Sequence, residues 1–398
     1  MRIETQYENI SYIRTNTGRD LTLPCIILCT IIFLVLGILP IIPSGASIFF
    51  RPIFIFFTFF AIYKCYPLHS AKWQLFLFIY FAIIFICNNI TKSSFETFIS
   101  HELFILFFIL ASGYIWSRRE INLLLETTII ACSIQALVCL LSNSFLLHIG
   151  GQQHINYLWI SANRNPIAFA IVPGAIASLI KLIYCRNGWR VVLPRIYWSF
   201  AFLLCFYSVF AIGCRSAFYS LVLGIGCLIW ERVNKSKTPA ERVIKEALLL
   251  ISVLIGFQIL FNIASGAYSS RLFSLKDTGR EDIWNSALNL IRQKPVFGGG
   301  YDYWDTYGPR IGTHNTFITF ALTGGVIAVF FLIGHLFSIG FEIYDSRSLI
   351  PFAFFIEAIF HTFTESSMDY YAYLPLIICM IIVRYIRYQG TIQSLFND

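Results

Sequence analysis

Charge is scarce in this chain. Asp, Glu, Lys and Arg make up 13% of its 398 residues, against about 25% in a soluble domain, and a water-soluble globular fold is thereby excluded. No polar stretch is long enough to form a second, soluble domain. Cys-x-x-Cys pairs and His/Cys ligand spacings are missing. Most of the eleven cysteines lie inside apolar runs (Cys25, Cys29, Cys87, Cys132, Cys139, Cys205, Cys227 and Cys379), so neither a disulfide framework nor a zinc site is expected. Internal repeats and low-complexity tracts are absent. The basic residues behind the net charge of +8 do not gather into one segment, which argues against a nucleic-acid partner. Nor does the N-terminus read as a removable signal peptide, because residues 1–20 carry both signs of charge and the apolar run after them has no small-residue cleavage site.

What the chain has instead is apolar length. Hydrophobic residues reach 57%, with 40 Phe, and apolar runs of roughly 16 to 25 residues recur between short polar loops. At 1.5 Å per residue such runs cover about 30 Å of hydrocarbon, some of them only marginally. Twelve are expected to span a membrane, near 21–40, 47–63, 74–90, 102–116, 121–147, 164–183, 196–213, 216–230, 247–264, 314–336, 349–364 and 371–386. The expected fold is an all-α polytopic integral membrane protein with one membrane domain over residues 1–398.

Basic residues set its orientation. With the N-terminus in the cytoplasm, 19 of the 29 Lys and Arg fall on the inner side, which satisfies the positive-inside rule and puts both termini in the cytoplasm. Six of the remaining ten, Arg271, Lys276, Arg280, Arg292, Lys294 and Arg310, fall in one outer loop, Ser265 to Thr313. That length is unusual for a simple connection and marks the loop as functional. Within it, Glu281 and Asp282 open a stretch with apolar residues at Ile283, Trp284, Ala287, Leu288 and Ile291, which Pro295 ends. The spacing predicts a short amphipathic helix along the outer membrane interface. Gly298-Gly299-Gly300 follows, then Tyr301, Tyr303, Trp304 and Tyr307, a set suited to sugar stacking or to an interfacial aromatic belt.

Arg215, Arg280 and His314 stand out because each lies at the outer end of a span, where a charge needs a partner or a function. Arg215 sits in the shortest outer loop, and a guanidinium held there suits phosphate oxygens or lipid headgroups. Arg280 opens the predicted helix against its dipole, a placement that an anion or an ion pair with Asp277, Glu281 or Asp282 would compensate. His314 begins a span, followed by Asn315, and imidazole is the side chain best suited to take a proton near neutral pH. Glu357 and His361, four apart in one span, read as a buried structural hydrogen bond. Glu365 and Asp369 could orient His314 or pair with loop arginines. Asp302 and Asp305 are candidates for sugar hydroxyls on an otherwise solvated loop.

The order of these signals, Arg215, then Gly279-Arg280-Glu281-Asp282-Ile283-Trp284, Pro295-Val296-Phe297-Gly298-Gly299-Gly300, and His314-Asn315-Thr316 with Gly324-Gly325 beyond, resembles the O-antigen ligase/polymerase superfamily of bacterial membrane glycosyltransferases. The likeness covers about residues 205–335, with Asn163-Arg164-Asn165-Pro166 a weaker feature upstream. It implies a GT-C-like fold in the inner membrane and a metal-independent, inverting transfer of a glycan from undecaprenyl pyrophosphate at the periplasmic face. The acceptor is a sugar hydroxyl, on lipid A core for a ligase or on a second lipid-linked glycan for a polymerase, and no cofactor is used. Arg215 and Arg280 match the family's pyrophosphate-holding arginines and His314 its essential histidine. Arg164, Arg310, Asn315, Tyr301 and Trp304 complete the set as substrate-binding candidates. Two positions depart from the pattern: Cys214 replaces a common Ser or Thr, and Ala328 stands where ligases carry Gly, Thr or Tyr. A ligase is the first expectation, a polymerase the alternative. A transporter or flippase is disfavoured because the conspicuous cations face one side instead of the midplane.

Overall fold

In a computed structural model of the protein, residues 69–88, 116–143, 154–157, 160–184, 192–234, 280–309, 312–365 and 370–389 are described, with isolated positions between 95 and 112. The expected spans near 21–40, 47–63 and 247–264 lie outside the described residues, and about half of the one near 102–116 does so too.

In chain order the elements are α1 (His69–Cys87), α2 (Arg118–Ser142), β1 (His154–Tyr157), β2 (Ile160–Asn163), α3 (Arg164–Tyr184), α4 (Val192–Ile212), α5 (Arg215–Asn234), α6 (Arg280–Gln293), α7 (Tyr303–Tyr307), α8 (Thr316–Ser346), α9 (Ile350–Thr364) and α10 (Tyr370–Gln389). Six of them, α1 to α5 and α8, are long and apolar enough to cross a membrane. Helix α9, at 15 residues, extends only about 22 Å. The expected helical character holds among the described residues, with one short addition. Residues 154–163 form an antiparallel hairpin with His154 opposite Asn163 and Tyr157 opposite Ile160, since β-branched Ile155 and Ile160 in a polar, alternating run favour a strand pair.

Helix α3 is the centre of the bundle, packed on α2, α4, α5, α9 and α10. Its close approach to α2 depends on Gly174, where a Cβ would stand 2.2 Å from the Cβ of Cys132. Ser117 starts α2 through a reciprocal capping box with Glu120.

Helix α8 is broken. Gly325 has φ 68° and interrupts the ladder about nine residues, or about 14 Å, into the helix. The carbonyls and N–H group freed there are taken up by the glycine segment: Gly299 N–H donates to Leu322 O (2.7 Å), Gly300 N–H to Thr323 O (3.0 Å), and Val326 N–H to Pro295 O (2.9 Å). Tyr80 of α1 donates to Gly324 O at 2.7 Å. A Cβ on Gly325 would meet Val296 O at 2.1 Å, and one on Gly298, itself at φ 69°, would meet Thr323 at 2.5 Å. The loop after α6 is thus locked into the break by backbone pairing that side chains would prevent.

At the end of the bundle away from Arg164 and Arg215, several charges are paired. Lys181 pairs with Glu126 at 3.1 Å, and Arg387 with Glu342 at 2.6 Å and Asp345 at 3.2 Å. Buried Glu231 of α5 accepts from Ser348 Oγ (2.9 Å), Leu349 N–H (2.7 Å) and Ile350 N–H (2.9 Å). It supplies a carboxylate cap for the N-terminus of α9, where the helix dipole favours an anion.

Candidate functional site

Three arginines occupy the same position in three helices. Arg164 is the first residue of α3, Arg215 of α5 and Arg280 of α6. Each start is fixed locally. The hairpin delivers the chain to Asn163, whose Oδ1 accepts the N–H of Asn165 at 3.1 Å. Gly213, at φ 69°, makes the tight turn out of α4, and Cys214 O accepts the first α5 bond from Phe218 N–H at 3.0 Å. Helix α6 runs Arg280–Gln293 with Glu281 and Asp282 in its first turn, as its sequence predicts. Ala287, Leu290 and Ile291 pack with Leu322 and Ile318 of α8, while Leu288 is 44% exposed. Docking on the N-terminal part of α8, before its break, selects that face.

These helix starts converge on Glu365, the residue that ends α9. His314 Nδ1 lies 3.9 Å from Glu365 Oε2, and Asn165 Nδ2 donates to Glu365 Oε1 at 2.9 Å. Thr316 Oγ1 donates to the Glu365 carbonyl at 3.0 Å. Arg280, partly buried, lies within electrostatic reach of Glu365 and Arg215. Its pKa is lowered from the usual arginine value, first by desolvation and also by the Arg215 charge, while Glu365 opposes the shift. Glu281 and Asp282 are exposed, and Glu365 takes the electrostatic role expected of them. Burial raises the Cys214 thiol, which senses Glu365 and Arg164 as well. Cationic side chains at positive helix ends oppose the dipole, so this arrangement favours a bound anion.

His314 has φ 51°, an uncommon backbone for a residue with a Cβ. The turn is held on several sides. Trp284 Nε1 of α6 donates to Thr313 O at 2.8 Å, the hydroxyls of Thr313 and Thr319 meet at 2.7 Å, and Asn315 Oδ1 caps α8 by accepting Ile318 N–H at 3.1 Å. Asn315 is therefore a helix cap in this structure. Such over-determination is what keeps a strained residue in place.

The remaining candidates separate from this cluster. Tyr301 packs against Phe81, Phe85 and Phe98 with ring centroids 5.9 to 6.4 Å apart, and Trp304 joins the small core of Ala287, Tyr303 and Leu322. Arg310 and Asp369 lie outside the described residues. Glu357 and His361 are fully buried, but the hydrogen bond expected for them is not made by Glu357. Its carboxylate has no hydrogen-bond partner among the described residues, and His361 stands edge-on to Phe169 at 4.9 Å. Among the described residues no group of three His, Cys, Asp or Glu could hold a metal ion.

Glycine spacing in the sequence acquires a physical reason. Gly325 sits where the α8 break demands a positive φ, and Ala328 lies beneath Gly324, where a Cβ would be 2.7 Å from that of Ala328. A small residue at 328 keeps this contact possible. No curated protein matches the chain. Residues 200–333, about a third of the chain, carry Arg215, Arg280 and His314 and match the family model described as O-antigen ligase, in agreement with the resemblance read from the sequence.

Proposed function

We propose that the arginine end binds a lipid-linked pyrophosphate and that the protein transfers a glycan from undecaprenyl pyrophosphate to a hydroxyl of an acceptor sugar. One observation carries the reading: Arg164, Arg215 and Arg280, each the first residue of its helix, gather with His314 around Glu365. Guanidinium forks and helix N-termini both favour phosphate oxygens.

In the reaction, His314 Nε2 takes the proton of the acceptor hydroxyl as its oxygen bonds to the anomeric carbon from the face opposite the leaving group. The anomeric C–O bond to the pyrophosphate breaks with inversion, and the electron pair leaves on a pyrophosphate oxygen. Arg215 and Arg280 stabilise that developing charge, with Arg164 supporting the field from α3. Glu365, beside Nδ1, stabilises the imidazolium and orients the ring. No divalent metal takes part, and transfer persists in excess chelator.

In this reading the protein is an inner-membrane protein with about twelve spans, both termini cytoplasmic, and residues 265–313 with the arginine end facing the periplasm. The support is the sorting of basic residues to the other side. Lipid A core is the proposed acceptor, making the protein an O-antigen ligase. A polymerase is the second reading, favoured by Ala328 in place of the ligase Gly, Thr or Tyr. Purified protein with lipid-linked glycan, given either lipid A core or a second lipid-linked glycan, decides between them. Product on lipid A core supports the ligase, elongation of the lipid-linked chain the polymerase, and product on neither rejects both.

A further inference from the structure

At the far end of α6 from Arg280 lies a second cleft, of about 330 Å³, between the loop after α6 and the end of α1. Its volume falls in the range of about 300–1,000 Å³ of small-molecule sites. The 14 residues of α6 put it roughly 20 Å along the helix from Arg280.

The walls are built and held. Tyr303 forms the floor, itself buried, with its ring against Gly299, where a Cβ would fall 2.0 Å from the ring. Tyr303 Oη donates to Leu290 O at 3.3 Å. Lys294 stands with Nζ 5.0 Å from the Tyr303 ring centroid. Tyr307 meets Tyr303 edge-on at 5.4 Å and 61° and remains 68% exposed at the rim. Asn88, Asp302 and Thr306 add polar groups. The amide of Asn88 is oriented by donation to Ile84 O at 2.5 Å. The glycine wall is clamped to α8 by the Gly299 and Gly300 bonds.

The lining chemistry selects the ligand. Lys294 and Asp302 balance each other, so the cleft has no bias toward an anion such as a phospholipid headgroup. An exposed, braced tyrosine beside a carboxylate, an amide and a hydroxyl matches a sugar ring, which offers a C–H face for stacking and hydroxyls that both donate and accept. The cleft is joined to the proposed transfer centre by two rigid connections: α6, which begins at Arg280, and the broken helix α8, which follows His314. We propose that it is a subsite for a sugar of the donor glycan remote from the bond being transferred. This rests on the function proposed above, because it is the donor glycan that would run from the arginines along α6.

The test uses full-length protein in detergent, with the oligosaccharide released by mild acid from the lipid-linked donor as probe and saturation-transfer NMR as readout. Wild-type protein binds the oligosaccharide saturably. Tyr307→Ala weakens binding roughly three- to tenfold, and Asp302→Asn, nearly isosteric, also weakens it. Both variants raise KM for a long-chain donor with kcat unchanged, and leave KM unaltered for a donor with a single sugar. Absence of saturable binding, wild-type affinity in Tyr307→Ala, or competition by glycerol phosphate overturns the subsite. If that occurs while transfer still depends on His314, the cleft assignment alone is wrong. If the oligosaccharide binds through Tyr307 but no transfer from lipid pyrophosphate is found, the subsite stands and the proposed reaction falls.

Discussion

The two ends of the helix bundle handle charge in opposite ways. Away from the hairpin, Lys181 meets Glu126, Arg387 meets Glu342 and Asp345, and Glu231 sits as an anion on the N-terminus of α9, where the dipole welcomes it. Those placements serve stability. At the other end, cations cluster with one another, and three of them stand at helix N-termini, where the dipole disfavours them. His314 there adopts a backbone that costs energy, and a triad of backbone bonds fixes the loop after α6 into a broken helix. One end pairs these charges and caps; the other gathers arginines at helix N-termini around one carboxylate and holds a strained backbone, an arrangement suited to an anionic substrate.

Breaking the arginine end should have the largest effect. His314→Asn keeps a side chain tolerant of the left-handed backbone but removes the base. Transfer should fall by about 10²–10⁴-fold while donor binding persists, as measured by single-turnover assay beside a binding titration. Arg280→Gln or Arg215→Gln should cost about 10²–10³-fold, and Lys at either position should recover only part of it, because the charge returns without the fork. Glu365→Gln retains shape and loses the charge beside the imidazole. A loss on the order of 10–100-fold, corresponding to one charge-assisted contact, is expected in kcat. The end with the paired charges should respond the other way. Glu231→Ala removes the carboxylate cap of α9 and should lower stability by about 3 kcal/mol, read from thermal unfolding in detergent, with transfer per folded molecule unchanged. Loss of transfer in that variant at full folding would erase the contrast between the ends.

Much of this was legible along the chain because it is local. The acidic first turn and Pro295 bracket α6 correctly, and Arg215, Arg280 and His314 each lie at or just before the start of a helix. What escaped is long-range or short. The strands of the hairpin are four residues each, too brief for periodicity to reveal beside long apolar runs. Glu365 was one of two candidate partners for His314, and only folding brings it within reach of Asn165, two hundred positions away. The three glycines after Phe297 announced an irregular segment. Their partners, the carbonyls inside α8, could not be inferred from a run that reads as continuous helix. The face α6 packs on the protein depends on α8, so the contact of Leu290 could not be read from the spacing alone.

Binding of undecaprenyl pyrophosphate, compared with undecaprenol, tests the central claim most directly, since the two share a tail and differ in the pyrophosphate. The account predicts that wild-type protein binds the pyrophosphate far more tightly and that Arg280→Gln and Arg215→Gln each remove much of the difference without weakening undecaprenol binding. Equal affinity of wild-type protein for the two lipids, or a preference untouched by both substitutions, would contradict it.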